Sequence, residues 1–188
     1  KLCGKKCGVR FTYADEYLVR SCLDAGVDYA IFSTVDSIQY CKKIINMCRY
    51  PRYGGKRGQG LVRENMWGLK ELDKSNPKII AMIESKEGIE KLEQISQFDI
   101  DYFLIGMYDL SASFGHVGDF QNKCFTDGIE KYKHFISKDK AAIHLVRNIE
   151  DISKYENDFS FFAIGMDTTM LIDSYNDVFN KAFEVKYA

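Results

Sequence analysis

The sequence has 188 residues, 46% of them apolar and 28% charged, with a formal net charge of −1. That length builds one full core in a single domain, residues 1–188, and the balance is that of an ordinary soluble globular protein. A near-neutral chain offers nothing to nucleic acid or to an anionic membrane, and no apolar run approaches the length of a membrane span.

Residues 1–9 lead into a short strand that ends at Arg10. Residues 13–25 carry a helix pattern, with Asp15 near its start and Gly26 as a left-handed stop. Residues 29–32 read as a short buried strand, 33–36 as a loop, and 37–48 as a helix with Ile38, Cys41, Ile44, Ile45 and Cys48 at helical spacing. Residues 49–60, RYPRYGGKRGQG, form an irregular basic loop. Such a loop either cradles an anion through its backbone N–H groups or is a mobile surface segment. Its spacing is neither that of a nucleotide P-loop nor that of a dinucleotide fingerprint. Arg63 and Trp67 follow it and serve either to close a pocket or to make an oligomer contact.

Residues 69–76 are polar, and Pro77 introduces a strand over 78–83 that ends in Glu84. Residues 88–98 read as a helix, 101–105 as a strand, and 106–122 as a loop-rich stretch that contains Asp109. A helix over 125–137, a strand over 141–146, a short helix over 148–155, a strand over 160–165 and a final helix over 168–183 complete the chain. Continuous apolar strands alternating with amphipathic helices predict a parallel sheet covered by helices, either doubly wound or a barrel.

No signal peptide is visible, and because the sequence opens at Lys1 rather than Met this says nothing of what precedes it. Six scattered cysteines in a chain of ordinary core composition read as reduced thiols, which places the protein in the cytoplasm. Cys3 and Cys7 lack a second Cys or His pair at zinc-ligand spacing.

Glu84 and Asp109 sit just past two successive strands, on the edge where α/β proteins build sites. Two neighbouring carboxylates suit one Mg²⁺ or Mn²⁺ completed by water and substrate oxygens; the alternative is that both cap helices. Arg10, at a third strand end, is a natural receiver for an α-keto-acid carboxylate or enolate. Of the histidines, His116 lies in the loop after Asp109 and is the nearest to such a site, His144 reads as packed within a strand, and His134 as a surface residue. No nucleophile motif is present.

Several segments carry a resemblance. They are VR at 9–10, LDAGVD at 23–28, the RYP and GGKRGQG parts of 49–60, IESKEGIEKLEQI at 83–95, LIGMYDLSASFGHVGDF at 104–120 and AIGMDTTML at 163–171. With these the chain resembles the HpcH/HpaI aldolase and citrate lyase β-subunit family, the metal-dependent class II pyruvate aldolases. The resemblance implies a (β/α)₈ TIM barrel of the phosphoenolpyruvate/pyruvate type, of which the chain holds about six units, strands three to eight. It implies Glu84 and Asp109 as ligands of Mg²⁺, Mn²⁺ or Co²⁺, and Arg10 as the residue that holds the keto oxygen and stabilises a metal-bound pyruvate enolate. It further implies the backbone N–H groups of Tyr108 and Asp109 as receivers of the pyruvate carboxylate, and Leu145 at the aldehyde end of the pocket.

The implied reaction is cleavage of a 4-hydroxy-2-oxo acid to pyruvate and an aldehyde; the alternatives are a CoA-ester lyase of the citrate lyase β type and a non-catalytic assembly subunit. Oligomers, commonly hexamers with exchanged C-terminal helices, are implied as well. Two departures stand out. Met107 and Tyr108 follow Gly106 where the family usually has proline, and the two strands that carry the family's histidine base are absent. The base is then a metal-bound hydroxide or a histidine outside this sequence, and the chain alone is expected to be weakly active or inactive.

Overall fold

Each apolar run becomes a strand: β1 Gly8–Phe11, β2 Tyr29–Phe32, β3 Lys78–Ile83, β4 Tyr102–Ile105, β5 Ala141–Leu145 and β6 Phe161–Ile164. The computed structural model describes residues 3–58, 60–61, 63–71, 77–145 and 152–187. The expected features at Val146, at 148–151, at 72–76 and at Gln59, and the side chain of Arg63, lie outside the described residues. The strands form one six-stranded sheet in the order β1-β2-β3-β4-β5-β6, and every pairing is parallel.

Side chains alternate between the two faces, as the pleat requires. Phe11, Phe32, Ile79, Ala81, Ile83, Phe103, Ile105, Ile143 and Leu145 face the helices and form the main core. Ile80, Met82, Leu104 and Ala142 face the other way, with Tyr29, Ile31, Tyr102, Phe161 and Ala163 packed against them. That second face is concave. Tyr29 on β2 and Phe161 on β6 bring their ring centroids to 5.9 Å, although four strand spacings separate them, about 19 Å in a flat sheet. The sheet is therefore curled into a half-barrel. Its edges β1 and β6 carry no further strand among the described residues.

The helices are α1 Glu16–Asp24, α2 Ile38–Cys48, α3 Lys86–Glu90, α4 Leu92–Ile95, α5 Met107–Ser113, α6 Lys123–Phe135, α7 Ile152–Tyr155 and α8 Asp167–Tyr187. Side chains cap four of them: Asp15 accepts from Leu18 N at 2.8 Å, Ser37 from Tyr40 N at 3.3 Å, Ser85 from Gly88 N at 3.1 Å and Asn122 from Cys124 N at 2.9 Å. Gly26 has φ +88° and ends α1 as expected.

Two expectations are corrected. The single helix over 88–98 is two short helices broken at Lys91, whose φ/ψ of −96°/10° leaves the α region. The loop-rich stretch after Gly106 begins with α5, driven by burial of Met107 and Leu110. In the described part of the glycine-rich loop, largely exposed, Pro51–Tyr53 form a 3₁₀ turn closed by Gly54 at φ +82°. Arg57 from that loop is 2% exposed, 3.0 Å from Asp24 Oδ1 and stacked on Tyr50 at 4.6 Å.

All six cysteines are free. Cys41 and Cys48 share the buried face of α2, and burial pushes both thiols up to about 12. No helix among the described residues is long and apolar enough to cross a membrane.

Candidate active site

The candidate site lies at the C-terminal edge of the strands, on the concave side. Ile83, Ile105 and Ile143 pair across β3, β4 and β5. The next residue on each strand is therefore level with the others: Glu84, Gly106 and His144. By the alternation of the pleat these positions belong to the concave face.

Glu84 is 7% exposed. Its Oε1 accepts two hydrogen bonds from one residue, from Thr34 N at 2.6 Å and from Thr34 Oγ1 at 2.9 Å. Its Oε2 is buried and has no hydrogen-bond partner. A Cβ on Gly106 would stand 2.8 Å from that oxygen and 3.0 Å from the Glu84 Cβ, so glycine is what lets the carboxylate lie over β4. A buried carboxylate oxygen without a donor is costly unless something positive meets it.

Asp109 lies in the first turn of α5, one turn beyond Gly106 on the same edge, and is exposed. Unlike α1, α2, α3 and α6, α5 has no side-chain cap: Gly106 offers none. The first N–H groups of the helix, at Tyr108 and Asp109 among others, have no partner within it. Tyr108 is 49% exposed, and its ring packs edge-on against Phe120 at 5.2 Å. Met107, in place of the expected proline, is turned into the core.

Arg10 is exposed, with no ion pair among the described residues. It shares the face of Gly8, where a Cβ would stand 3.1 Å from the Tyr29 Cβ and 3.5 Å from Ile31 Cδ1, both on the concave side. Its register partner is Ile31, which pairs in turn with Ile80, so Glu84 lies four residues further along β3. The tilt of strands in a curled sheet works against that offset.

Leu145 is 4% exposed and belongs to the core on the helix side. Its neighbour His144, half-buried, faces the concavity instead, with Nε2 3.5 Å from Gly165 O. His116 is exposed in the turn after α5, and His134 packs its ring on Phe135 at the surface. Trp67 is 66% exposed.

Sequence reasoning missed Thr34 and Gly106, and read the half-buried His144 as packed within its strand. Strand parity alone would have found His144, because Ala142 already faces inward. An open cleft of about 310 Å³ adjoins Thr34 at the ends of β1 and β2, lined by Thr12, Tyr13, Ser33, Thr34, Asp36, Ser37 and Tyr40. Burial raises the Tyr40 pKa; a bond with Ala14 opposes this, and the charges of Tyr13, Asp36 and Glu84 add to the rise.

The donor set fits a hard divalent ion. It offers carboxylate oxygens, one of them buried without a partner. Among the described residues, no group of three or more His, Cys, Asp or Glu is gathered to hold a metal.

A family model described as HpcH/HpaI aldolase/citrate lyase matches residues 1–174. A hydroxypyruvate/pyruvate aldolase of Deinococcus radiodurans is 30% identical over 172 residues, which is 87% of this chain and 62% of that protein. A 4-hydroxy-2-oxovalerate aldolase of Rhodococcus jostii is 29% identical over 188 residues, 96% of this chain and 72% of the relative. The chain thus spans roughly two thirds of the length of these relatives. In structure it is similar to an HpcH/HpaI aldolase from Desulfitobacterium hafniense, with a TM-score of 0.81 at 19% identity over 97% of this chain and 74% of the other. It is likewise similar to the citrate synthase SbnG, with a TM-score of 0.80 at 22% identity over 96% and 73%. Both likenesses concern the fold.

Proposed function

This chain belongs to the HpcH/HpaI aldolase/citrate lyase family, and on that premise we propose that it carries the metal side of an aldolase site that cleaves a 4-hydroxy-2-oxo acid to pyruvate and an aldehyde. The observation that carries the reading is the buried, unpartnered Oε2 of Glu84 beside Gly106. Glu84 and Asp109 would hold Mg²⁺, Mn²⁺ or Co²⁺. When bound, such an ion supplies Lewis-acid polarisation of the substrate's 2-oxo group.

The chain's own residues do the rest by position and charge. The uncapped N–H groups of α5 at Tyr108 and Asp109 receive the substrate carboxylate, as a helix N-terminus receives anions. The Arg10 guanidinium meets the negative charge that grows on the 2-oxo oxygen as the C3–C4 bond breaks. That bond's electron pair goes to C3, the 4-hydroxyl loses its proton to a base, and the aldehyde leaves. C3 then takes up a proton to give pyruvate. No residue of this chain is assigned as that base.

The test is pyruvate release from a 4-hydroxy-2-oxo acid by the full protein. Activity should vanish in EDTA, return with Mn²⁺, and fall by about 100-fold or more in Glu84→Gln, as for loss of a group that acts in the transition state. Metal-independent turnover, or none with Mn²⁺, would sink the proposal.

A further inference from the structure

Thr34 follows β2 directly and takes φ +51°. A β-branched side chain is rarely found in that left-handed region, where glycine is at ease. Both donors of Thr34 go to the same atom, Oε1 of Glu84, at 2.6 Å from N and 2.9 Å from Oγ1. The strained backbone turns the N–H toward the carboxylate, and the side chain adds a second bond that glycine could not make. On the other side, Gly106 lies against Oε2 without a Cβ, and Oε2 is buried with no hydrogen-bond partner. The two oxygens of one carboxylate are thus made unequal by residues on two neighbouring strand ends.

We propose that Thr34 is a positioning residue that makes Glu84 a one-oxygen ligand, and so biases the site toward a small six-coordinate divalent ion and against Ca²⁺. The inference rests on the reading of Glu84 as a metal ligand. Ca²⁺ takes six to eight oxygens at longer distances and often engages a carboxylate through both of its oxygens, whereas Mg²⁺ and ions like it demand near-octahedral geometry from single oxygens. To turn both oxygens toward an ion, Glu84 would have to break both bonds to Thr34. Partners that hold a ligand in this way tune affinity without touching the ion.

The experiment is calorimetric titration of the full protein with Mn²⁺ and with Ca²⁺, with no substrate, for wild type, Thr34→Ser, Thr34→Gly and Glu84→Gln. Glycine adopts the backbone conformation of residue 34 without strain, so that variant keeps the turn while it loses Oγ1. Thr34→Gly should weaken Mn²⁺ binding by about tenfold or more and Ca²⁺ binding less, so that the preference for Mn²⁺ narrows. Thr34→Ser, which keeps the hydroxyl, should hold the wild-type preference. An unchanged Mn²⁺/Ca²⁺ ratio in Thr34→Gly, with binding lost in Glu84→Gln, would overturn the role of Thr34 alone. Wild-type Mn²⁺ affinity in Glu84→Gln would overturn the metal reading and this inference together.

Discussion

Arg49 is 3% exposed, and its guanidinium is well provided. It donates to Pro77 O at 2.7 Å, to Asp99 Oδ2 at 3.3 Å and to Asp101 Oδ2 at 2.7 Å. Asp101 also accepts from Lys78 Nζ at 2.9 Å and from Ile79 N at 2.8 Å. This network lies where β3 and β4 begin, the opposite end of the sheet from Glu84. At that end both oxygens of the Asp101 carboxylate are satisfied; at the other, Glu84 Oε2 is buried without a partner. Asp101→Asn should cost about 3 kcal/mol, the low end for a broken buried pair, because Arg49 keeps Pro77 and Asp99. Urea denaturation measures it. The effect depends on pH. Burial alone would raise the Asp101 pKa, but the bonds from Ile79, Lys78 and Arg49 outweigh it and hold the group below its ordinary value. Its stabilising contribution is therefore full above the unfolded pKa, near 4, and is lost as pH falls through the lowered folded value. The stability difference between wild type and variant should begin to shrink as pH falls below about 4 and close only below the lowered folded value.

At the scale of elements, α8 stands apart. Ile172, Tyr175, Phe179 and Phe183 recur at helical spacing and are 47%, 68%, 62% and 43% exposed. The rings of Phe179 and Phe183 lie 4.4 Å apart, yet the helix does not bury this stripe on its own half-barrel. An apolar stripe of this length calls for cover. We propose that a second copy of the chain provides it, in line with the expected homo-oligomer. Ile172→Glu with Phe179→Glu should then lower the mass measured by light scattering to that of a smaller species; an unchanged mass would count against the second copy. Helix α5 shows the limit of reading elements from sequence. Its seven residues, MYDLSAS, are too few to signal a helix by themselves and lie between Gly106 and Gly115. Its helix comes from burial of Met107 and Leu110, which no local pattern announces. The burial of Arg57 is equally invisible to local pattern, since its partner Asp24 is 33 residues away. Strands were legible because a sheet buried on both faces needs unbroken apolar runs. Glu84, Asp109 and Arg10 were legible as the polar residues that end such runs. Thr34 was not, because its role lies in a distance to Glu84 across 50 positions of chain.

At the scale of the whole molecule, curvature decides whether the site is one place or several. Glu84 and Asp109 follow adjacent strands, β3 and β4, and stay neighbours in a flat or a curled sheet. Arg10 lies on β1, two strands from Glu84, and the curl turns its face toward theirs. That curl is held from the far end of the sheet. Tyr29, Tyr102 and Phe161 open β2, β4 and β6 and pack together inside the concavity, with Phe161 at 4.9 Å from Tyr102 and 5.9 Å from Tyr29. Alternate strands supply a single layer, as in the interior of a barrel. Phe161→Ala should cost about 1–3 kcal/mol, less than for a fully buried ring because Phe161 is only half-buried. It should also divide the two functions of the site. Mn²⁺ affinity, set by neighbouring strands, should stay at the wild-type value. Turnover, if it uses Arg10 as proposed, should fall by about tenfold to 100-fold, the usual consequence of a misplacement near 1 Å. Calorimetry on the metal and a pyruvate-release assay on the same preparation separate these outcomes. Equal loss of both would mean that the ring supports the fold in general, and no loss of either would mean that the curl does not depend on it.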